Sequence, residues 1–83
     1  MDIVTRERLE KYLSVTREAL QEARKSPENV DISDSSRAHF IDTVERYIQD
    51  AEHFAQQGDI VTAFAALNYA HGWLDAGAKL GLF

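Results

Sequence analysis

The sequence predicts an all-α protein that folds as a closed up-and-down bundle of three helices. Apolar residues recur three and four positions apart in three stretches, near residues 5–25, 36–57 and 60–80, and this is the spacing of one face of an α-helix. The breaks between the stretches carry residues that end and begin helices. At 83 residues the chain has room for one hydrophobic core, so we expect residues 1–83 to form a single domain.

The first predicted helix begins after Thr5, whose hydroxyl can accept from free backbone N–H groups, and Glu7 suits the positive end of the helix dipole. Its stripe steps by four and three residues through Leu9, Leu13, Thr16, Leu20 and Ala23. Pro27 is expected to end the helix. Residues 26–34 form the one long loop, and their acidic and small polar side chains favour a simple connector over a binding segment.

The second predicted helix carries its own stripe and ends at Gly58. The stripe consists of Ile41, Val44, Ile48, Ala51 and Ala55. Glycine suits the left-handed conformation that closes a helix, and Asp59 can cap the next helix at once. A connection this short makes the second and third helices an antiparallel hairpin.

The third predicted helix is apolar around most of its circumference. One arc is expected to face the core, and it consists of Ile60, Ala63, Phe64, Leu67, Ala70, Leu74 and Ala78. The helix also holds six alanines together with Gly72 and Gly77. Each helical glycine costs on the order of 1 kcal/mol relative to alanine, and close approach of another backbone is the expected compensation. Gly81 is expected to end the helix, with Leu82 and Phe83 folding back on it.

A second apolar strip on the far side of this helix is the candidate interaction surface. It consists of Tyr69, Gly72, Trp73, Ala76 and Leu80. Two helices can cover only part of a third, so we expect some of this strip to stay on the surface. Because tyrosine and tryptophan are enriched at interface hot spots, we predict a small non-catalytic protein-interaction or self-association module, most simply a homodimer. In the alternative interpretation, Trp73 fills the core between the first and third helices.

Asn68, His71 and Asp75 form the candidate polar site, since their spacings of three and four residues place them on one helical face. An imidazole held by a carboxylate can act as a general base or help to bind a metal. The alternative function is therefore a small metal-dependent or hydrolytic enzyme. No serine or cysteine nucleophile lies near this site in sequence, so we expect His71 to bridge two helices and assign no catalytic, metal-binding or cofactor-binding residue.

The composition narrows the classes of partner. There is no cysteine, so disulfides and thiolate metal sites are excluded. The net charge of −5 argues against a nucleic-acid partner, because such binding relies on lysine and arginine, although Arg17, Arg24 and Lys25 could form a local basic patch. No signal-peptide pattern or membrane-spanning stretch is found. The sequence therefore predicts a cytoplasmic protein with no membrane partner.

The carboxyl-terminal segment, residues 66–83, resembles an archaeal family known as domain of unknown function 357. The string Tyr-Ala-His-Gly-Trp-Leu-Asp-Ala-Gly at residues 69–77 is the most specific part. Gly58, Asp59 and the three-helix arrangement also fit the family, so the resemblance extends over most of the chain. It implies an archaeal source and a compact, closed up-and-down three-helix bundle. It implies no activity.

Overall fold

A computed structural model describes residues 5–26 and 34–83 of the protein, with side chains described for 5–26 and 36–83. It contains three helices: α1 (Arg6–Lys25), α2 (Asp34–Gln56) and α3 (Ile60–Lys79). No strand occurs within these residues. The predicted all-α three-helix bundle is confirmed, and every helix end lies within two residues of its predicted position. The predicted stop at Pro27 and the connector at residues 27–33 lie outside the described residues.

Helix α1 is bounded by side-chain and backbone hydrogen bonds at both ends. The Arg8 backbone N–H donates to Thr5 Oγ1 at 3.1 Å, as expected for an N-cap threonine. At the other end, the Ser26 hydroxyl donates to the Glu22 carbonyl at 3.1 Å. Arg37 of α2 adds a guanidinium hydrogen bond of 2.9 Å to the carbonyl of Ala23. The end of α1 is therefore tied to the beginning of α2, since carbonyls freed at a helix end need donors.

Gly58 makes the hairpin between α2 and α3. Its φ of 84° is left-handed, and its N–H donates to the Ala55 carbonyl at 3.0 Å while the Asp59 N–H donates to the Phe54 carbonyl at 2.9 Å. These two bonds form a Schellman motif, which closes a helix and reverses the chain. Asp59 then accepts from the Thr62 N–H at 3.1 Å and begins α3.

The same motif closes α3. Gly81 has a φ of 79°, its N–H donates to the Ala78 carbonyl at 3.1 Å, and the Leu82 N–H donates to the Gly77 carbonyl at 2.9 Å. Leu82 is buried. The predicted fold-back is thus present. Gly77 is buried under the fold-back, and a Cβ at this position would overlap the ring of Phe83.

The three helices run up, down and up around one core. Arg6 at the start of α1 hydrogen-bonds to the Ala55 carbonyl near the end of α2 at 2.9 Å, so these two helices are antiparallel. Helix α1 lies parallel to α3, since Tyr12 meets Asn68 and Thr16 meets His71. Each helix contacts both of the others, and α2 packs most extensively against α3. The bundle is therefore closed.

The core combines large side chains of all three helices, and Leu82 beyond α3, with alanines that lie mainly on α2 and α3. The large, fully buried members are Leu9, Leu20, Val44, Ile48, Leu67 and Leu82. Burying each leucine or isoleucine side chain stabilises the fold by about 1.5–3 kcal/mol. Most of the predicted core arc of α3 is buried or packed against the core, but Ala78 is exposed and Gly77 is buried instead. The turn at Gly81 explains this shift, because it folds Phe83 over Gly77.

None of the helices described has the length and apolar character needed to cross a membrane.

Candidate functional site

A polar cluster joins α1 to α3 beside the core. The Thr16 hydroxyl lies 2.7 Å from His71 Nε2 and also donates to the Tyr12 carbonyl at 2.7 Å. A hydroxyl carries one proton, so with that proton on the Tyr12 carbonyl, His71 Nε2 must be the donor to Thr16. The His71 ring also stacks on the Tyr12 ring, with centroids 4.7 Å apart and planes inclined by 15°. His71 therefore bridges two helices, as its position in the sequence predicts.

The three residues of the predicted polar site have different hydrogen-bond or ion-pair partners. The Tyr12 hydroxyl donates to Asn68 Oδ1 at 2.9 Å, so Asn68 is engaged with α1. Asp75 forms an ion pair of 3.0 Å with Lys79, four residues further along α3. Each of the three residues Asn68, His71 and Asp75 therefore has a different partner. His71 donates its Nε2 hydrogen to Thr16.

Burial sets the protonation of this cluster. It lowers the pKa of His71, because the charged imidazolium is disfavoured where water is scarce. It raises the pKa of Tyr12 for the same reason. Both groups are neutral at pH 7, which suits a stacked and hydrogen-bonded pair. Within residues 5–26 and 34–83, no three His, Cys, Asp or Glu side chains lie close enough together to hold a metal ion.

Sequence reasoning missed the α1 half of this cluster. Thr16 is completely buried, and the sequence pattern places it only as one position of the apolar stripe of the first helix. The available signal was the hydroxyl itself, because a threonine at a core position needs a polar partner. That partner is His71, which lies 55 residues away in the chain.

A shallow cleft of about 360 Å³ opens beside His71, between the ends of α1 and α3. Its walls are mostly small or apolar, and Glu22, Ser26 and Asp75 supply polar groups at its edge. The cleft is wide open to solvent. Its carboxylates do not form a closed site around His71.

The opposite side of α3 carries the predicted interaction surface, which we call the α3 strip: Tyr69, Gly72, Trp73, Ala76 and Leu80. Tyr69 is 63% exposed and Leu80 is 52% exposed. Gly72 and Ala76 are exposed as well, whereas Trp73 is half-buried. The Trp73 ring packs edge to face with Phe40 and His39 on α2, and it also packs against the hydrophobic core.

Four residues of the α3 strip line a mostly apolar groove of about 310 Å³ together with Phe40 and Asn68, and Leu80 lies outside it. Gly72 is the one lining residue without a side chain, and we call it the floor of the groove; a Cβ at that position would meet nothing within 4 Å. Phe40 adds a wall from α2 that sequence reasoning missed, packing its ring 4.9 Å from that of Trp73. Tyr69 stacks on Tyr47 of α2, with ring centroids 5.4 Å apart and planes inclined by 20°. The aromatic walls are therefore held by α2 before any partner binds.

An ion-pair network fastens α1 to α2 on a third face. Arg17 pairs with Glu45 at 2.9 Å and also with Glu52, and Arg24 pairs with Glu45 at 3.0 Å. Two of the three basic residues of the predicted local patch therefore already face carboxylates. This face offers less free positive charge to a phosphate than its arginines alone suggest.

These features define a small all-α bundle with an internal polar cluster and an open apolar groove. The sequence profile of the family described as Protein of unknown function (DUF357) matches residues 11–83. The protein belongs to this family, and the resemblance seen in its carboxyl-terminal segment is confirmed. The same comparisons gave no significant match among the curated proteins or the solved structures.

Proposed function

We propose that this protein acts by binding a protein partner through the α3 strip and catalyses no reaction itself. The observation that carries the proposal is the groove over Gly72, which is apolar, open and walled by aromatic rings. A partner that covered Tyr69 and Leu80 would remove two large apolar side chains from water, and such burial stabilises a complex by about 25 cal/mol per Å².

The walls of the groove are well suited to binding because they are already ordered. Tyr69 stacks on Tyr47 and Trp73 packs on Phe40, so little side-chain freedom is left to lose on association. Ordering a free side chain at an interface costs about 0.5–1.5 kcal/mol. Aromatic anchors in a preformed groove avoid part of that cost and are common hot spots.

The absence of net charge on α3 favours an apolar partner. Asp75 and Lys79 are the only charged residues of this helix, and they pair with each other. A nucleic acid or an acidic surface would find no uncompensated positive charge there. The α3 strip therefore suits a protein surface that is itself apolar.

The hydrolytic or metal-dependent alternative has less support. It needs Asn68, His71 and Asp75 to act together, yet each of these residues has a different partner. The neutral His71 ring is also engaged through its Nε2 proton. The cluster that joins α1 to α3 accounts for Asn68 and His71, and an ion pair within α3 accounts for Asp75, without any substrate.

The test is to block the groove without disturbing the fold. Gly72→Lys fills the floor with a long side chain, and the open space above Gly72 should allow the bundle to form around it. Val15→Lys is the matched control, since Val15 is 49% exposed on α1. The wild type and both variants are immobilised and exposed to the native cell extract and to free copies of themselves. We expect Gly72→Lys to lose binding and Val15→Lys to retain it. Equal binding by all three proteins would contradict the proposal.

A further inference from the structure

We propose that the α3 strip binds a second copy of this chain, with the two α3 helices antiparallel about a two-fold axis that passes between Gly72 and Trp73. This inference rests on the proposed function and names the partner. It follows from how large and small residues alternate along the exposed side of α3.

The exposed side of α3 is complementary to itself when reversed. Reversal about a point between residues 72 and 73 sets Tyr69 opposite Ala76 of the second copy, and the symmetry repeats this pair. The same reversal sets Leu80 opposite Ala65. In both pairs a large exposed side chain meets a small exposed one. Facing surfaces pack without voids when large and small residues alternate across them.

The floor of the groove lies at the centre of this arrangement. Gly72 has no side chain and nothing within 4 Å of its missing Cβ, so a second backbone can approach closely there. Its opposite residue is Trp73, whose ring is already turned aside onto Phe40 of α2. The two helices therefore approach most closely at a residue that has no side chain.

A parallel pairing fits less well. It would set Tyr69 against Tyr69 and Leu80 against Leu80, while Gly72 and Ala76 faced their own copies across a gap. It would also place the two helix dipoles side by side in the same direction, which antiparallel packing avoids. The order of residues along α3 therefore selects the antiparallel orientation.

The charge distribution also favours a second copy. Two chains of net charge −5 repel each other, and the repulsion is smallest where the meeting faces carry no net charge. Helix α3 has one acidic and one basic residue, already paired. In contrast, α2 carries five acidic residues and two arginines, which gives it a net charge of −3.

The size of the surface predicts a weak, reversible dimer. A helix of 20 residues is about 30 Å long and about 10 Å wide, so the face it offers is on the order of 300 Å² in projection. Standard stable interfaces bury about 800 Å² on each partner. We therefore expect a dissociation constant in the micromolar range or above, and the test must trap the dimer.

A single introduced cysteine provides that trap, since the chain has no cysteine of its own. Gly72→Cys places a thiol beside the proposed axis, where two Cα atoms come within the roughly 4.4–6.8 Å that a disulfide spans. Val15→Cys is the control on α1. With oxidised glutathione as the oxidant, Gly72→Cys should form a disulfide-linked dimer much faster than Val15→Cys, and circular dichroism should show both variants folded.

The orientation is tested by mixing two further variants, Ala65→Cys and Leu80→Cys. The antiparallel arrangement predicts that oxidation of the mixture gives mainly the heterodimer linking position 65 to position 80. A parallel pair predicts dimers of each variant with itself. Predominant 65–65 and 80–80 products would overturn the antiparallel assignment.

The result that overturns self-pairing is distinct from the failure of the proposed function. If Gly72→Cys dimerises no faster than Val15→Cys and the wild type sediments as a monomer at millimolar concentration, no second copy binds. If Gly72→Lys then still abolishes capture of a different protein from the extract, the α3 strip is a binding surface with another occupant. If that capture is unaffected as well, both proposals are wrong.

Discussion

The two sides of α3 use similar aromatic contacts in opposite ways. Towards α1, the Tyr12 ring stacks on the His71 ring. The Tyr12 hydroxyl is hydrogen-bonded to Asn68, and the His71 imidazole is hydrogen-bonded to Thr16. Towards solvent, the Tyr69 ring stacks on Tyr47 but remains 63% exposed. The first contact satisfies its polar atoms internally and holds helices together. The second leaves apolar area uncovered, so that side of the helix has binding energy still available.

The largest expected effect on stability comes from removing the hydroxyl of Thr16, the α1 residue that accepts from His71 on the buried side of α3. Thr16→Val keeps the shape of the side chain but leaves the His71 N–H without its acceptor, and an unsatisfied polar group of this kind costs about 1–3 kcal/mol. Chemical denaturation should show a loss of that size.

Thr43→Val is the control for Thr16→Val. Thr43 also donates to the carbonyl four residues earlier, at 2.8 Å to His39, and the variant loses that bond without orphaning a histidine. Equal destabilisation by the two variants would mean that the bond between Thr16 and His71 contributes nothing.

Substitutions at the two glycines of α3 also distinguish its buried side from its exposed side. Alanine is the better helix former by about 1 kcal/mol, so Gly72→Ala should raise the free energy of unfolding of the monomer, because its Cβ meets nothing. Gly77→Ala should lower it, since the Phe83 ring must move away. Thermal unfolding at low protein concentration measures both. A stabilising Gly77→Ala would show that the Phe83 contact is unimportant.

A smaller effect is expected from pH. Burial lowers the pKa of His71 in the folded protein, so the unfolded chain binds the proton first as pH falls below about 6.5. The free energy of unfolding should therefore fall between pH 6.5 and the lower pKa of the folded protein, and the loss should level off below it. His71→Gln should remove this part of the pH dependence. An unchanged profile in that variant would assign the dependence to other groups.

The smallest effect on stability, and the largest on association, is expected at Tyr69. Tyr69→Ser removes a ring that is 63% exposed, and the loss of its stacking on Tyr47 should cost only about 0.5 kcal/mol. Binding through the α3 strip should nevertheless be lost. A variant that unfolds, or one that binds as the wild type does, would each contradict the distinction between the two sides of α3.

Most of the fold can be predicted from the sequence because it depends on local signals. Helix spacing, the cap at Thr5 and the glycine at position 58 each act within a few residues, and all three are where they were predicted. Ala78 was assigned to the core wrongly, since its exposure depends on where Phe83 lands after the turn at Gly81. Periodicity along the helix carries no information about that fold-back.

The sites were less predictable because they join residues that are distant in the chain. Asn68, His71 and Asp75 share a helical face, but their partners are decided by Tyr12 and Thr16 of α1 and by Lys79. Likewise, Phe40 completes the groove beside Trp73 from α2. Spacing along one helix predicts which residues share a face, whereas a site also needs the register between helices.

The most direct test of the central claim is the concentration dependence of the backbone amide NMR spectrum. If the α3 strip is a surface for self-association, the amide signals of Tyr69, Gly72 and Ala76 should shift as protein concentration rises from micromolar to millimolar. Those of Tyr12 and Thr16, which pack against the other side of α3, should stay fixed. Shifts centred on Tyr12 and Thr16, or a spectrum that does not change at all, would contradict the account.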